Sequence, residues 1–355
     1  MGVVMGDTVL DEAYARLHAT GPEWGEDRLT NHGPMAAEVL VRRGHGEQVP
    51  GWLEAYAARL DDLPAPHDRI TDATWRDALG DGRRIGDWTR YLAEQTRERP
   101  WRDVLVTWWP RLLPGIVAGA THGLIRTGHA VGTLLDGDDS PAALDELAHG
   151  LAFWAARSLG VPGAPGPSGS LTAAAALDAL PRVPDQTGPI AHRFGQFAGT
   201  PGWSAGMAAL RGPAGPDEAR DLLIGLVDAA TVRYLRFGHA SPVLLVHSAT
   251  APNAVLRTLP ALPRELWAPS LSAVWAASAA IVSAFAPTAG PPRADLPTVA
   301  PGPRAEEDIL DAAAGHGDEH VIKFADTAAD VYTRTTDPDA LAAARRVADL
   351  IPRRG

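Results

Sequence analysis

The chain has no cysteine, which excludes disulfides, thiolate nucleophiles and cysteine-held zinc together. It has almost no lysine: of 32 basic residues, 31 are arginine and Lys323 is the single exception. It lacks a cationic surplus, because 43 acidic residues leave a net charge of −11. Nucleic-acid binding needs clustered cations to displace counterions, so no nucleic-acid partner is expected. No GxGxxG or Walker pattern occurs, and a dinucleotide site has no motif to support it. The most apolar text, "LSAVWAASAAIVSAFAP" at 271–287, is rich in alanine and serine and short for a membrane span. It reads as a buried core helix. The first residues, "MGVVMGDTVLDEAYARL", carry Asp7 and Asp11 and no basic segment ahead of an apolar run, unlike a signal peptide. The expectation is a soluble cytoplasmic protein with no membrane partner.

What is present is helix-forming text, 45% hydrophobic and 21% charged, enough for a substantial core across 355 residues. "PMAAEVLVRR" (34–43) opens on a first-turn proline. "GWLEAYAARLDDL" (51–63) puts Trp52, Leu53, Tyr56 and Leu60 on one face. A Ser140–Pro141 start and Gly160 bound the next helix, and residues 216–238 and 239–259 read as consecutive helices, the second bent at Pro242 or Pro252. Residues 305–335 hold two helices broken near Gly315–Gly317, and a helix from 338 closes the chain. Alternating strands with hairpin turns are missing. The predicted fold is all-α, a multi-helical single globular domain over 1–355 with Pro/Gly-rich loops at 160–170 and 287–304, the latter a candidate flexible linker.

Twelve histidines divide by context. His18, His45, His67, His149, His192, His239 and His316 stand in polar or loop-like text and read as surface residues. His32, His122, His129, His247 and His320 stand in apolar helix-forming text. Any one alone reads as a hydrogen-bonded core residue, but five without competing thiolates point to a transition metal. His122 and His129 lie seven apart with Arg126 between them, roughly 10.5 Å of helix rise, a long reach for two ligands of one ion. His320 and Lys323 lie three apart, on one helix face.

A buried lysine loses its charge more readily than arginine, and a neutral amine reacts with carbon dioxide to give an anionic, carboxylate-like carbamate. Such a group would supply an anionic ligand that no neighbouring Asp or Glu obviously offers. The alternative is a buried stem whose ammonium reaches water or pairs with Glu319 or Asp326. Trp108, Trp109 and Trp154 either line an aromatic pocket or pack the core.

"NHGPMAAEVL", "LPGIVAGATHGLIRTGHAV", "LLVHSATAPNAVLRTLP" and "DEHVIKFADTA", in that order across about residues 25 to 335, together resemble the questin oxidase-like family. The resemblance implies an oxygenase that cleaves a carbon–carbon bond of, or inserts oxygen Baeyer–Villiger fashion into, an aromatic polyketide- or quinone-like substrate. One branch of the family implies non-haem Fe(II) held by four histidines and a carboxylated lysine. Here that would be Lys323 with His32, His122, His247 and His320. His129 would stand beside the metal, able to exchange with one of the four, and His129 and Arg126 would manage protons or orient substrate. Dioxygen and a small aromatic molecule would be the partners. Two alternatives remain in the same residues: a metal-dependent hydrolase, and a metal-free NADPH-dependent monooxygenase for which no motif speaks.

Overall fold

The structure is a computed structural model that describes residues 3–353, with side chains from residue 8 onward. Met1 and Gly2, part of the text read against a signal peptide, lie outside the described residues. Helices dominate, and among the described residues the only paired strands are the antiparallel two-residue segments Glu23–Trp24 and Leu29–Thr30. The fold is all-α, as the patterning predicts. Contacts gather the chain into two units, Met1–Gly160 with Arg257–Pro263, and Val161–Leu256 with Arg264–Gly355.

In the first unit, Pro141–Ala156 is the element on which Ile85–Glu98 and His122–Leu135 both pack. Its start is fixed as the sequence suggests: Pro141 occupies the first turn and the Ser140 hydroxyl accepts from the Ala143 N–H at 3.1 Å. The approach of His122–Leu135 is set by glycine. A Cβ on Gly123 would stand 2.5 Å from Trp154 Cα, so no larger residue fits beside His122. Trp108, Trp109 and Trp154 are fully buried and meet other rings edge to face, Trp109 against Trp154 at 5.3 Å. They are core packing.

In the second unit, Pro216–Phe237 packs against Trp267–Phe285, Ala173–Ala179, Glu319–Thr335 and Pro338–Leu350. Val227, Val331 and Ala340 meet at its centre. The expected break near Gly315–Gly317 falls at Gly317, whose φ of +80° ends Ala305–His316 before Asp318 caps Glu319–Thr335. Residues 239–259 divide into Pro242–Leu245 and His247–Thr258, with Pro252 inside the second helix. The 51–63 expectation contracts to Val49–Ala57.

The segment Arg264–Phe285 is long and apolar enough to cross a membrane, but 72% of its most apolar window is buried inside the protein. It is a core element. Residues 287–304 do not hang free of the second unit: Leu296 is buried, and the Arg293 guanidinium binds both carboxylate oxygens of Asp339. His149 and His316, read as surface residues, are buried, each with partners that sequence context does not show. For His316 the partner is the Ile351 carbonyl, 3.0 Å from Nε2.

Candidate metal centre

The candidate residues of each unit form a buried polar cluster. In the first unit, His32 is the residue before Gly33–Arg42, and its N–H donates to the Tyr56 hydroxyl at 2.6 Å. Asn31 fixes this corner from both ends: its amide donates to Thr20 Oγ1 and the Gly21 carbonyl, and its Oδ1 accepts from the Gly33 N–H at 3.0 Å. His122 opens His122–Leu135, and its ring centroid lies 4.4 Å from that of His32. The run into His122 is unusual. Gly119, Ala120 and Thr121 all have φ between +51° and +74°. For Ala120 and Thr121, left-handed backbone costs on the order of 1–3 kcal/mol each, and such strain concentrates at functional sites. The turn also brings the Gly119 carbonyl onto His122 Nδ1. With its proton on Nδ1, His122 carries its lone pair on Nε2, the tautomer a metal ligand needs.

Two turns along, His129 Nδ1 meets Glu38 Oε2 at 2.6 Å, so the helices bearing His32 and His122 run side by side. Burial works against ionised Glu38, but Arg42 and His129 outweigh it and hold the carboxyl down at about 2. Arg126, expected to orient substrate or manage protons, is committed elsewhere. Its Nε and Nη2 donate to the two oxygens of Glu146 at 2.6 and 2.7 Å, and both side chains are 2% exposed. His18 Nε2 lies 2.9 Å from the same carboxylate, and the His18 ring stacks on His149 at 4.3 Å. Burial opposes the Glu146 charge too, yet Arg126 and then His18 hold its carboxyl at about 2.

Burial first, then His18, keeps the His149 imidazole well below its ordinary 6.5. The unfolded chain therefore takes up a proton near 6.5 that the folded chain refuses, and stability falls as pH drops below that value. Glu38 and Glu146 add a second loss between 4.5 and 2, where the unfolded carboxylates protonate before the folded ones. Thermal unfolding measured from pH 8 to 3 should show a midpoint that falls below about 6.5 and again below 4.5, and His149→Gln should flatten the first fall while leaving the second in place.

In the second unit, His247 opens His247–Thr258 and is 1% exposed, with its ring centroid 6.1 Å from that of His320. Asp318 caps Glu319–Thr335 by accepting from the His320 N–H at 2.9 Å, and the same oxygen lies 3.2 Å from His320 Nδ1. A carboxylate on Nδ1 fixes the tautomer and leaves the Nε2 lone pair as the donor. Asp318, Glu319 and His320 each offer a ligand atom, all within 4.8 Å of one another and all buried. Anionic groups thus stand beside Lys323, where the sequence offered none obviously. Lys323 is 2% exposed, and burial pushes its amine down to about 8 against the opposing pull of Glu319 and Asp318. Roughly one amine in ten is then neutral at pH 7, several hundred times the fraction of an ordinary lysine.

No family model matches the chain, and no curated protein matches it.

Proposed function

We propose that this chain is a non-haem iron oxygenase of the questin oxidase-like kind, acting in the cytoplasm on a small aromatic polyketide- or quinone-like molecule with dioxygen. The observation that carries the reading is the buried, readily neutralised Lys323 amine, one helical turn from His320, whose Nδ1 is held by Asp318. The donors suit a borderline metal: imidazoles whose Nδ1 atoms are engaged by Gly119 and Asp318, and an amine able to become anionic. His32, His122, His247, His320 and Lys323 would hold the ion.

When bound, Fe(II) supplies dioxygen activation and Lewis acidity toward a phenol or enol oxygen. The protein's part is otherwise acid–base and positional. The neutral Lys323 amine forms a nitrogen–carbon bond to carbon dioxide and releases one proton, becoming a carbamate anion. His129, its Nδ1 held by Glu38, presents Nε2 as the atom at which a proton would be exchanged. Arg126 anchors the helix carrying His122 and His129 through Glu146, a positioning role.

Anaerobic reconstitution with Fe(II), followed by metal analysis, tests the reading. One iron per chain is expected, lost in His247→Ala and in His122→Ala. A chain that retains no metal, or variants that retain it as well as the parent, would overturn the reading. The buried Asp318 and Glu319 favour one rival, a two-metal hydrolase, since carboxylates are the ligands such sites add. Two ions per chain would decide for it.

A further inference from the structure

A second concave site lies in the Val161–Leu256, Arg264–Gly355 unit, and none of the candidate metal ligands lines it. It is a cavity of about 460 Å³, a size that holds one or two fused rings. One face of the Pro216–Phe237 helix forms its floor, through Ala229, Val232, Arg233 and Arg236 at helical spacing. Leu177, Leu235, Phe237 and Leu296 complete an apolar lining, which the packing of 292–296 against Asp339 closes on one side.

The cavity's charge runs against that of the chain. Three arginines line it with two carboxylates, Asp178 and Asp339, whereas the whole protein carries −11. Arg293 is neutralised by its two-oxygen bond to Asp339. Arg233 reaches Asp178 through Nη1 alone, and that carboxylate is 69% exposed. The Nε of Arg233 is buried and makes no hydrogen bond. Arg236 pairs with no carboxylate among the described residues and only leans its guanidinium toward the Phe237 ring at 5.4 Å. Burial first, then the charge of Arg236, pushes Arg233 down to about 10.

We infer that this cavity binds a small amphipathic monoanion: a carboxylate seated between Arg233 and Arg236, with an aromatic or short aliphatic body against Leu177, Val232, Phe237 and Leu296. A planar carboxylate can take two guanidinium N–H groups at once, and Arg233 and Arg236 both line the cavity. One uncompensated positive charge suits a monoanion, while a phosphate dianion would press a second negative charge against Asp178 and Asp339. The apolar walls contribute affinity only to a ligand with a hydrophobic body. The site does not depend on the metal reading, since it shares no residue with the proposed ligands.

Calorimetric titration of the full chain with 1-naphthoate tests this, with 1-naphthalenemethanol as the uncharged counterpart and inorganic phosphate as competitor. One saturable site is expected for naphthoate, with the alcohol at least tenfold weaker and phosphate unable to displace it. Arg236→Gln, at an exposed position that leaves the core untouched, should weaken naphthoate about tenfold, and Ala229→Trp should abolish binding by filling the floor. Thermal unfolding confirms that both variants fold. Absence of saturable naphthoate binding, equal affinity for acid and alcohol, displacement by phosphate, or an Arg236→Gln chain that binds like the parent each overturns the proposal.

Discussion

Lys323→Met should give a metal-free protein that is more stable than the parent near neutral pH and that can no longer hold iron. The two halves of this expectation pull in opposite directions, which makes the pair diagnostic. An amine lowered from 10.5 to about 8 is a group whose folded state binds its proton less well than the unfolded state. The unfolded chain carries the extra proton between about 8 and 10.5, so stability climbs with pH through that window and the full penalty is present below it. At about 1.4 kcal/mol for each unit of pKa, the penalty at pH 7 is on the order of 3 kcal/mol. Methionine fills nearly the same volume without a charge to desolvate. In chelator-treated protein and carbon-dioxide-free buffer, the variant should unfold a few degrees higher than the parent at pH 7. The gap should close as pH passes 10.5, where the parent's penalty has gone.

Iron binding should move the other way. Methionine cannot be carboxylated, and losing the ligand proposed to become anionic should weaken Fe(II) by more than about a hundredfold, beyond the usual effect of removing a supporting hydrogen bond. A natural core would not keep a residue that lowers stability unless it did something arginine or methionine could not. If Lys323→Met proves both less stable and equally able to hold iron, Lys323 is a structural residue and its place among the ligands fails.

Lys323 was legible because it is one lysine among 31 arginines, three residues from a histidine in apolar text. Helix starts were legible wherever a local rule operates, as at Ser140–Pro141 and Gly317. What escaped was long-range polar pairing. His149 reads as polar because its neighbours Asp145 and Glu146 are acidic, yet it is buried against His18, which lies 131 residues away in the chain. Glu38 sits in ordinary helical text, and nothing nearby announces His129, 91 residues on. Asp318 and Glu319 look like surface acids, but the cap that Asp318 makes on His320 turns both into the buried start of a helix. The left-handed run at 119–121 is likewise invisible, since Ala120 and Thr121 are residues that ordinarily avoid that backbone region. Periodicity reports which face of a helix is buried; it says nothing about which distant side chain satisfies a polar group there.

Arg126 shows the consequence for function. From sequence, a cation midway between His122 and His129 invites a substrate-orienting role. In the fold its Nε and Nη2 are spent on Glu146, and Glu146 also holds His18. Removing one member of such a buried pair strands the other's charge, which typically costs 3–5 kcal/mol, whereas replacing both with apolar residues of similar size is close to neutral. Glu146→Ala should therefore destabilise the chain by about 3–5 kcal/mol, and Arg126→Met by a similar amount. The double variant Arg126→Met/Glu146→Leu should recover most of that loss in chemical denaturation. The same double variant separates position from chemistry. If Arg126 only anchors the helix that carries the two histidines, the recovered protein binds iron as the parent does and keeps the same pH profile of turnover. If Arg126 touches substrate, stability returns but the Michaelis constant rises, because no anchoring replacement restores a guanidinium to a ligand.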